Sequence, residues 1–331
     1  MPEADTSPAA SSPEDASLPG SGSDKGRGPR LSIITVCKNM AGEIGDTCGS
    51  VAGQTFADFE WLVIDGGSGD GTLAILEKYR SRMARLISEP DRGVYHAMNK
   101  GIDLAGGEYL LFLNGGDYLA SERTLERVFA GDPQADVLYG DELHWHPEDG
   151  RIEVRVTPGA GEMGKLYFAY GSLNHQAAFI RRTLFDRFGR YDEGYPLAAD
   201  REKWVVFAEN GCSFTKLDFG VSVYRLNGMS SLEANAGRLE EAIRKIRKRH
   251  FSPGELRESL RLRRWLRGYA KTWWWGGNER FSLFSRGQTR LGIDKRKYYF
   301  LNLPVLKIKA IGRRRLFSLF GLMPVWKSRT E

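Results

Sequence analysis

The 331-residue sequence lacks the features that would place it across a membrane or in a secretory pathway. No run approaches the roughly 18 uninterrupted apolar residues that a transmembrane helix needs. The opening MPEADTSPAASSPEDASLPG contains neither the basic start nor the apolar middle of a secretory signal. Cys37, Cys48 and Cys212 are too few and too widely spaced for a disulfide framework or a zinc site. These absences lead us to expect a protein of the reducing cytoplasm.

Positive charge is concentrated at one end of the chain. From Arg238 to Glu331 the net formal charge is +18, whereas the rest of the chain carries −12, and the total is +6. A bipolar chain of this kind predicts an acidic or neutral body with a basic appendage that contacts something anionic. The alternative is that the basic residues only solvate helix faces.

The composition divides the chain into three parts. Residues 1–29 are rich in Ser, Pro, Gly, Ala and Asp. Because they offer almost nothing to bury, they cannot offset the entropy cost of ordering, and we expect a disordered tail. Residues 30–235 have the texture of a folded domain, and residues 236–331 form the basic C-terminal region.

Short apolar runs alternate with helical segments from Leu31 onward. The predicted strands of this half are Leu31–Cys37, Trp61–Ile64, Arg85–Ser88 and Glu108–Asn114. The predicted helices between them are Ala41–Gly53, Thr72–Arg82 and Tyr95–Ala105. This order implies parallel strands with helices on both faces of the sheet.

The polar residues that follow these strands define a candidate site. Asn39, Asp65, Asn114 and Asp117 each come at or just after a strand end. Ligands of open parallel sheets bind beyond the carboxyl ends of the strands, so these side chains should gather at one edge. The convergence predicts a nucleotide site.

The second half of the sequence is less regular. Strands are predicted at Asp136–Gly140, Ala177–Ile180, Phe214–Leu217 and Val221–Arg225. Helices are predicted at Arg182–Phe188 and Asp200–Asn210, and two basic helices at Gly237–His250 and Gly254–Ala270.

A short repeat lies near the C-terminus. KRKYYFLNLPVLK (295–307) and RLFSLFGLMPVWK (315–327) align at an offset of 20, downstream of the tryptophans at 273–275. Basic residues beside aromatic and aliphatic ones are typical of contact with a membrane surface. The alternative is that these aromatic residues cap the core of the main domain.

Each candidate carboxylate also has an ordinary structural interpretation. The Asn-Gly-Gly-Asp run that ends at Asp117 is typical of a tight turn. Asp65 could cap the helix from Thr72, and Asp200 could cap a helix that begins at Arg201. The residues alone leave these alternatives open.

Five motifs in one order decide between them. ITVCKN, VIDGGSGDGT, EPDRGVYHAMNKGI, LFLNGGD and YPLAADREKW resemble family 2 of the inverting glycosyltransferases, over roughly residues 30–232. Within that family the chain is most similar to the branch of colanic-acid-type transferases of bacterial exopolysaccharide synthesis. The resemblance implies an α/β fold of the GT-A type, a Rossmann-like open mixed sheet with helices on both faces, followed here by a basic, helical and aromatic appendage.

The resemblance also implies roles for individual residues. Asp117 matches the acidic residue that holds Mg²⁺ or Mn²⁺, with Lys100 or Arg92 as cationic helpers, and Asp200 matches the catalytic base. The positions that the resemblance assigns to the nucleotide sugar are Thr35, Asn39, Asp65, Gly67, Ser68, Asp91, Asn99, Lys100 and Asn114.

The sequence departs from the family pattern at two positions. Asn114 stands where the metal motif usually begins with an aspartate, and Gly66 replaces the second aspartate of the usual Val-Asp-Asp. An amide oxygen is a neutral ligand, which implies a weaker metal site or one that depends more on the donor diphosphate. The Gln-x-x-Arg-Trp signature of processive members is absent after Asp200, which implies a single transfer per acceptor.

The acceptor side is less defined. His175 and Gln176 precede a strand on a loop that could contact the acceptor, although a structural hydrogen bond would place them equally well. Trp204 could stack on a sugar ring, although a large helical residue is more often part of the core.

The resemblance implies a UDP-sugar as the first choice of donor. The implied acceptor is a glycan or a polyprenyl-diphosphate-linked oligosaccharide at the inner face of the cell membrane. The alternative is a non-catalytic sugar-nucleotide or polysaccharide-binding module on the same fold. Nucleic-acid binding, which the basic C-terminus would favour, is not expected because no reader motif occurs among the basic residues.

Overall fold

The computed structural model describes residues 28–146, 150–225, 233–274, 293–300, 303–311, 314–319 and 323–329. Residues 1–27, which make up nearly all of the predicted disordered tail, lie outside this part of the chain.

The described residues form two sheets with helices around the first. The strands of the first sheet are β1 (Leu31–Cys37), β2 (Phe59–Asp65), β3 (Arg85–Ser88), β4 (Tyr109–Phe112), β5 (Tyr118–Leu119), β6 (Val137–His146), β7 (Arg151–Arg155), β8 (Ala178–Arg181) and β9 (Phe214–Arg225). The helices are α1 (Ile44–Ala52), α2 (Thr72–Glu77), α3 (Val94–Leu104), α4 (Thr124–Phe129), α5 (Lys165–Phe168), α6 (Arg182–Phe188), α7 (Ala199–Glu209), α8 (Ala236–His250) and α9 (Pro253–Trp274). Short 3₁₀ turns occupy Arg80–Arg82, Ala160–Glu162, His175–Ala177 and Glu233–Asn235.

The first sheet is mixed and has the strand order β3-β2-β1-β4-β8-β6-β9-β5, with β7 paired to β6. The first four strands are parallel, β8 runs antiparallel to both β4 and β6, and β9 is parallel to β6. The predicted GT-A-type open sheet with helices on both faces is confirmed.

Because successive side chains of the central strands point to opposite faces, a separate hydrophobic core forms on each face of the sheet. Ile34 and Ile64 point to one side, where they pack with residues of α3, α7 and α8. Ile33 and Val63 point to the other side, where they pack with residues of α1, α2 and α4. Successive side chains of a strand face opposite sides, so a strand buried on both faces reads as one continuous apolar run. This accounts for the complete burial of LSIITVC in β1.

Two strands of the second half are longer than predicted. The strand expected at residues 136–140 continues to His146, and those expected at 214–217 and 221–225 are one strand, β9. The two pair in parallel across a register shift near Asp141. A Cβ on Gly140 would lie 2.5 Å from the carbonyl oxygen of Phe219, so the close approach requires glycine. Pairing between distant segments thus extends both strands through local sequence that includes polar residues and one glycine in each strand.

The C-terminal region contains the two predicted basic helices, here α8 and α9, and then a second, antiparallel sheet. Its strands are β10 (Ile293–Phe300), β11 (Leu303–Ile311), β12 (Arg314–Leu319) and β13 (Met323–Arg329). Each copy of the sequence repeat corresponds to one hairpin, β10–β11 and β12–β13, with a register shift close to its proline. The expected helical and aromatic appendage is therefore helical only in its first part.

Within the described ranges, no helix combines the length and the apolar character that crossing a bilayer requires.

Candidate active site

The carboxyl ends of the central strands meet at one edge of the sheet, as predicted. β1 ends at Cys37 and β2 at Asp65, and these two residues are direct partners in the parallel register. After β4 the chain continues beside β1, where the Gly115 amide donates a hydrogen bond to the Val36 carbonyl at 2.9 Å. Asp117 follows two residues later, on the same edge. The strand ends therefore place the two acidic turns next to one another.

Asp65 organises the turn that follows β2. Its buried carboxylate accepts hydrogen bonds from the Gly67 amide at 3.1 Å, from the amide and hydroxyl of Ser68, and from the Ser88 hydroxyl at 2.6 Å. Burial acts to raise the pKa of Asp65, but these hydroxyl and amide donors outweigh it and the pKa is lowered. The carboxylate is ionised and fully engaged, so it shapes the turn that Gly67 and Ser68 form.

Asn39 connects this turn to the end of β1 through hydrogen bonds. It adopts a left-handed conformation with φ of 52°, its amide donates to the Ser68 hydroxyl at 2.8 Å, and its side-chain oxygen accepts from the Gly69 amide at 3.0 Å. Thr35, by contrast, is fully buried and accepts a hydrogen bond from the indole of Trp61 at 3.0 Å. The Thr35 side chain is therefore used inside the core, and the prediction that the turn from Thr35 to Asn39 flanks the nucleotide stays a prediction.

Asp91 occupies the space beside Gly66. A Cβ on Gly66 would overlap the Oδ2 of Asp91 and lie 3.2 Å from the Cδ of Lys38. The glycine that replaces the family's second aspartate therefore makes room for a carboxylate and a cation contributed by other segments.

The two predicted cationic helpers are both ion-paired. The Lys100 ammonium lies 2.6 Å from Glu89, and the Arg92 guanidinium lies 3.1 Å from Glu193. Lys38, at the end of β1, forms no ion pair within the part of the chain that the structure describes, and it is exposed. Lys38 is therefore the cation at this edge that is available to an anionic ligand.

Asn99 links α3 to the loop that precedes α7. Its side-chain amide donates to the Tyr191 carbonyl and its side-chain oxygen accepts from the Tyr191 amide, both at 2.9 Å. Both ends of the Asn99 amide are thus used inside the protein. These two hydrogen bonds hold α3 against the loop before α7, and the nucleotide contact that the resemblance implies for Asn99 stays a prediction.

Asp117 is buried in the turn after β4. Its Oδ1 accepts a hydrogen bond from the Arg225 amide at 3.2 Å, and only 6% of the residue is exposed. Burial raises the pKa of Asp117 to about 7. The Arg225 amide and the charges of His175 and Arg225 offset part of this effect, while Glu43 adds to it.

The turn fits a divalent cation that takes some of its ligands from another molecule. The Oδ1 of Asn114 is buried and has no hydrogen-bond partner. Asp117 is a carboxylate whose charge the neighbouring protein groups offset only in part. No cluster of three or more acidic, histidine or cysteine side chains occurs within the described ranges. Mg²⁺ characteristically uses one or two protein ligands together with phosphate and water, which suits Asp117 and the Asn114 oxygen.

Asp200 is linked to Asn114 through His175. It is the second residue of α7, so it does not occupy the capping position that was the alternative. Its Oδ1 accepts a hydrogen bond from the Tyr95 hydroxyl at 2.7 Å, and its Oδ2 lies 3.5 Å from the Nδ1 of His175. Burial acts to raise the pKa of Asp200, but His175, Tyr95 and the charge of Arg201 outweigh it and the pKa is lowered. Asp200 is therefore an ionised, partly exposed hydrogen-bond acceptor.

The three residues predicted for the acceptor side, His175, Gln176 and Trp204, differ in their contacts and in their burial. His175 belongs to the site, because it lies between Asp200 and Asn114. Gln176 is 3% exposed. Trp204 is 1% exposed and its indole donates to the Leu173 carbonyl at 2.9 Å, so it is a core residue, which was the alternative to stacking on a sugar.

Sequence reasoning missed three members of the site. Tyr95 bonds Asp200, Ser88 bonds Asp65, and Lys38 lies beside Asp91. Only Lys38 had a local signal, since it directly precedes Asn39 at the end of a predicted strand. The other two reach the site from elements distant in sequence.

Residues 32–184 match the family model described as "Glycosyl transferase family 2". A PGL/p-HBAD biosynthesis glycosyltransferase of Mycobacterium tuberculosis is 39% identical over 182 residues, which cover 52% of this chain and 67% of the relative. The glycosyltransferase EpsJ of Bacillus subtilis is 29% identical over 226 residues, which cover 62% of this chain and 63% of the relative.

Solved structures share the fold. TarS of S. aureus superimposes with a TM-score of 0.52 at 23% identity, over 66% of this chain but only 39% of TarS. Its segment 1–349 in complex with UDP-GlcNAc gives a TM-score of 0.52. The mannosyltransferase PcManGT from Pyrobaculum calidifontis, in complex with GDP-Man and Mn²⁺, gives 0.55 at 20% identity, over 76% of this chain and 73% of that protein.

Proposed function

Because this chain belongs to glycosyl transferase family 2, we propose that it transfers one sugar from a nucleotide-sugar donor to a hydroxyl group of a glycan or lipid-linked oligosaccharide. The observation that carries the proposal is the pair of carboxylates at this site: Asp117 is buried, and Asp200 is partly exposed and linked to Asn114 through His175. Glycosyl transfer needs one charged centre at the leaving diphosphate and another group that accepts the proton of the nucleophile.

The donor is expected to lie along the edge that β1 and β2 form. The turn that Asp65 and Asn39 hold presents backbone groups, and Asp91 and Lys38 offer charged groups beside Gly66. Two fold neighbours are in complex with UDP-GlcNAc and GDP-Man, which supports a nucleotide sugar as the ligand class. A UDP-sugar is our first choice of donor.

Asp117 and the amide oxygen of Asn114 are the residues that would hold Mg²⁺ or Mn²⁺. The cation supplies positive charge next to the diphosphate as it leaves. A Mn²⁺ complex of the fold neighbour PcManGT supports this assignment. Lys38 is positioned to add a second positive charge at the same edge.

Asp200 acts as the general base. An alcohol is a poor nucleophile, and Asp200 accepts its proton while the oxygen attacks the anomeric carbon. The base and the diphosphate lie on opposite sides of the sugar in this arrangement, so attack inverts the anomeric centre. Tyr95 keeps Asp200 ionised by donating to one of its oxygens.

We further propose that the protein makes one transfer per acceptor in bacterial polysaccharide synthesis, at the inner face of the cell membrane. The absence of the processive signature after Asp200 supports a single transfer. The net charge of +18 after residue 237 supports contact with an anionic surface. The three-part division at residues 30 and 236 remains part of this proposal.

The experiment that tests the function is release of nucleotide from a panel of nucleotide sugars, with and without candidate acceptors, in Mn²⁺ or EDTA. Metal-dependent release from one or two donors, lost in Asp117→Ala and Asp200→Asn but kept in Asp103→Asn, a change of an exposed residue near the end of α3, is the expected result. Metal-dependent binding without any transfer would instead identify a non-catalytic binding module. Neither binding nor release would contradict both.

A further inference from the structure

A line of polar side chains runs from Asp200 through His175 to Asn114, which lies three residues before Asp117. The Nδ1 of His175 lies 3.5 Å from the Oδ2 of Asp200, and the Nε2 of His175 lies 3.1 Å from the Nδ2 of Asn114. The remaining atom of the line, the Oδ1 of Asn114, is buried without a partner. His175 and Asp200 each expose 16% of their side chains, so the line borders solvent only narrowly.

The chemistry of these groups fixes the direction of the hydrogen bonds. An ionised carboxylate only accepts, so the Nδ1 of His175 must carry the proton that points at Asp200. A neutral imidazole then has a lone pair on Nε2, which accepts from the amide nitrogen of Asn114. The amide nitrogen therefore faces His175, and the amide oxygen faces the proposed donor and cation.

We propose that Asn114 and His175 are positioning residues that hold Asp200 in its working orientation. The inference rests on the proposed function. A donor or cation that engages the Asn114 oxygen keeps the amide nitrogen turned toward His175. That contact keeps the His175 proton on Nδ1, and the proton holds Asp200 ready to accept from the sugar hydroxyl.

The same line explains why an asparagine stands at position 114. An aspartate has no proton to donate to the Nε2 of His175. A carboxylate there would accept a proton from Nε2, so the single proton of a neutral His175 would no longer be fixed on Nδ1. Compared with an aspartate, the asparagine brings one negative charge less to the cation, but its amide nitrogen orients the base. The departure from the family's usual aspartate is therefore coupled to His175.

The tautomer of His175 can be measured without any enzyme activity. The chain has five histidines, so long-range ¹H–¹⁵N spectra of histidine-labelled full-length protein are simple, and His175→Gln assigns the signal. In spectra recorded at about pH 8, the proposal predicts the proton on Nδ1 in the wild type and a proton on Nε2 in Asn114→Asp. A proton on Nε2 in the wild type would overturn the proposal.

Kinetics of two isosteric variants supply the second test. In His175→Asn the new amide nitrogen replaces Nδ1, so donation to Asp200 is kept. In His175→Gln the new amide replaces only Nε2, so that donation is lost. We expect His175→Gln to lower kcat by roughly 10- to 100-fold with the donor KM nearly unchanged, and His175→Asn to recover most of that loss.

Asn114→Asp separates this inference from a simple metal-ligand role. The proposal predicts tighter Mn²⁺ binding by calorimetry together with a kcat lowered at least tenfold at saturating Mn²⁺, on the order of the loss seen for other outer-shell partners. Higher kcat in Asn114→Asp, or equal kcat in His175→Gln and the wild type, would overturn the inference while leaving the glycosyltransferase function intact. A wild type that releases no nucleotide would contradict the function, and the spectra would still report the tautomer.

Discussion

At the scale of single residues, Asp117 and Asp200 show how one site treats two carboxylates differently. Both are largely withdrawn from water, which favours the protonated acid. Asp200 faces the donors Tyr95 and His175, and its pKa is lowered. Asp117 accepts a hydrogen bond from one backbone amide, and its pKa is raised to about 7. Asp200 is therefore suited to accept a proton from a substrate, and Asp117 is suited to bind a cation.

The raised pKa of Asp117 makes the metal-free protein sensitive to pH. Because the folded state holds this proton up to about pH 7 and the unfolded state releases it near pH 4, stability falls as pH rises between those values. Asp117→Asn is expected to flatten this dependence and to raise the Tm in EDTA above about pH 7. Thermal unfolding across this range, with Asp103→Asn as the control, measures the effect.

Mn²⁺ provides the complementary measurement on the same variant. It should raise the Tm of the wild type more at about pH 8 than at about pH 5.5, because below pH 7 a proton competes for the Asp117 carboxylate. The Tm of Asp117→Asn should rise little at either pH. An equal Mn²⁺ response in the two proteins would show that Asp117 is not a ligand.

Tyr95 and Tyr191 form a matched pair of buried hydroxyls. Tyr95 donates to Asp200, whereas the Tyr191 hydroxyl has no partner among the described residues. Tyr95→Phe should raise the pKa of Asp200 and move the acidic limb of kcat/KM upward by about one pH unit. The reason is that a hydrogen bond to a charged group contributes on the order of 1.5 kcal/mol. The base must be ionised, so activity is then lost at a higher pH as the solution is acidified.

Tyr191→Phe is the control for that experiment, since it removes a hydroxyl from the same aromatic cluster without removing a donor to Asp200. Its pH profile should match the wild type. Identical profiles for Tyr95→Phe and the wild type would rule out an influence of Tyr95 on the base.

At the scale of elements, the turn after β2 is shaped by contacts with two other segments. Asp65 and Asn39 fix its backbone, while Asp91 reaches over Gly66 from the segment before α3. Among the groups that shape the turn, the Gly67 and Ser68 amides are close to Asp65 in sequence, whereas Asn39 and Asp91 come from other segments. The turn therefore depends on the sheet bringing β1, β2 and β3 together.

Gly66→Ala tests this arrangement. The added methyl group overlaps Asp91 and must displace its carboxylate, which is the end of a side chain and can move. We expect a small change in Tm but weaker binding of the nucleotide sugar, by roughly tenfold, if Asp91 contacts the donor. Gly69→Ala is the matched control, because its Cβ would meet nothing within 4 Å. Calorimetric titration of both variants compares the affinities, and equal Kd values would exclude Asp91 from donor binding.

At the scale of the whole molecule, the charge asymmetry is the dominant feature. The described part of the basic region consists of α8, α9 and the second sheet. The membrane-contact hypothesis depends largely on residues 264–331, which lie outside the part of the chain whose side chains the structure describes. Surface contact therefore stays a prediction from sequence.

That prediction can be tested with the full-length chain. It should sediment with vesicles that contain anionic lipid, remain in solution with vesicles of neutral lipid alone, and be released in about 1 M salt, where the Debye length falls to about 3 Å. Binding to both kinds of vesicle with no dependence on salt would contradict an electrostatic contact.

The sequence by itself determined the elements whose signal is local. β1 and α6 have the predicted bounds, because a strand buried on both faces and a short amphipathic helix are recognisable from their own residues. The edge where Asp65 and Asp117 meet followed from the strand order, since parallel strands end on the same side. The family resemblance selected Asp200 from the many aspartates that could cap a helix.

Only the tertiary structure decided which side chains meet at that edge. Thr35 and Trp204 were candidates for the ligand site, and both are buried in the core, where they bond Trp61 and the Leu173 carbonyl from other segments. The line from Asn114 through His175 to Asp200 joins residues 61 and 25 positions apart. Contacts over such separations are set by sheet pairing and helix packing, which composition and periodicity describe only one segment at a time.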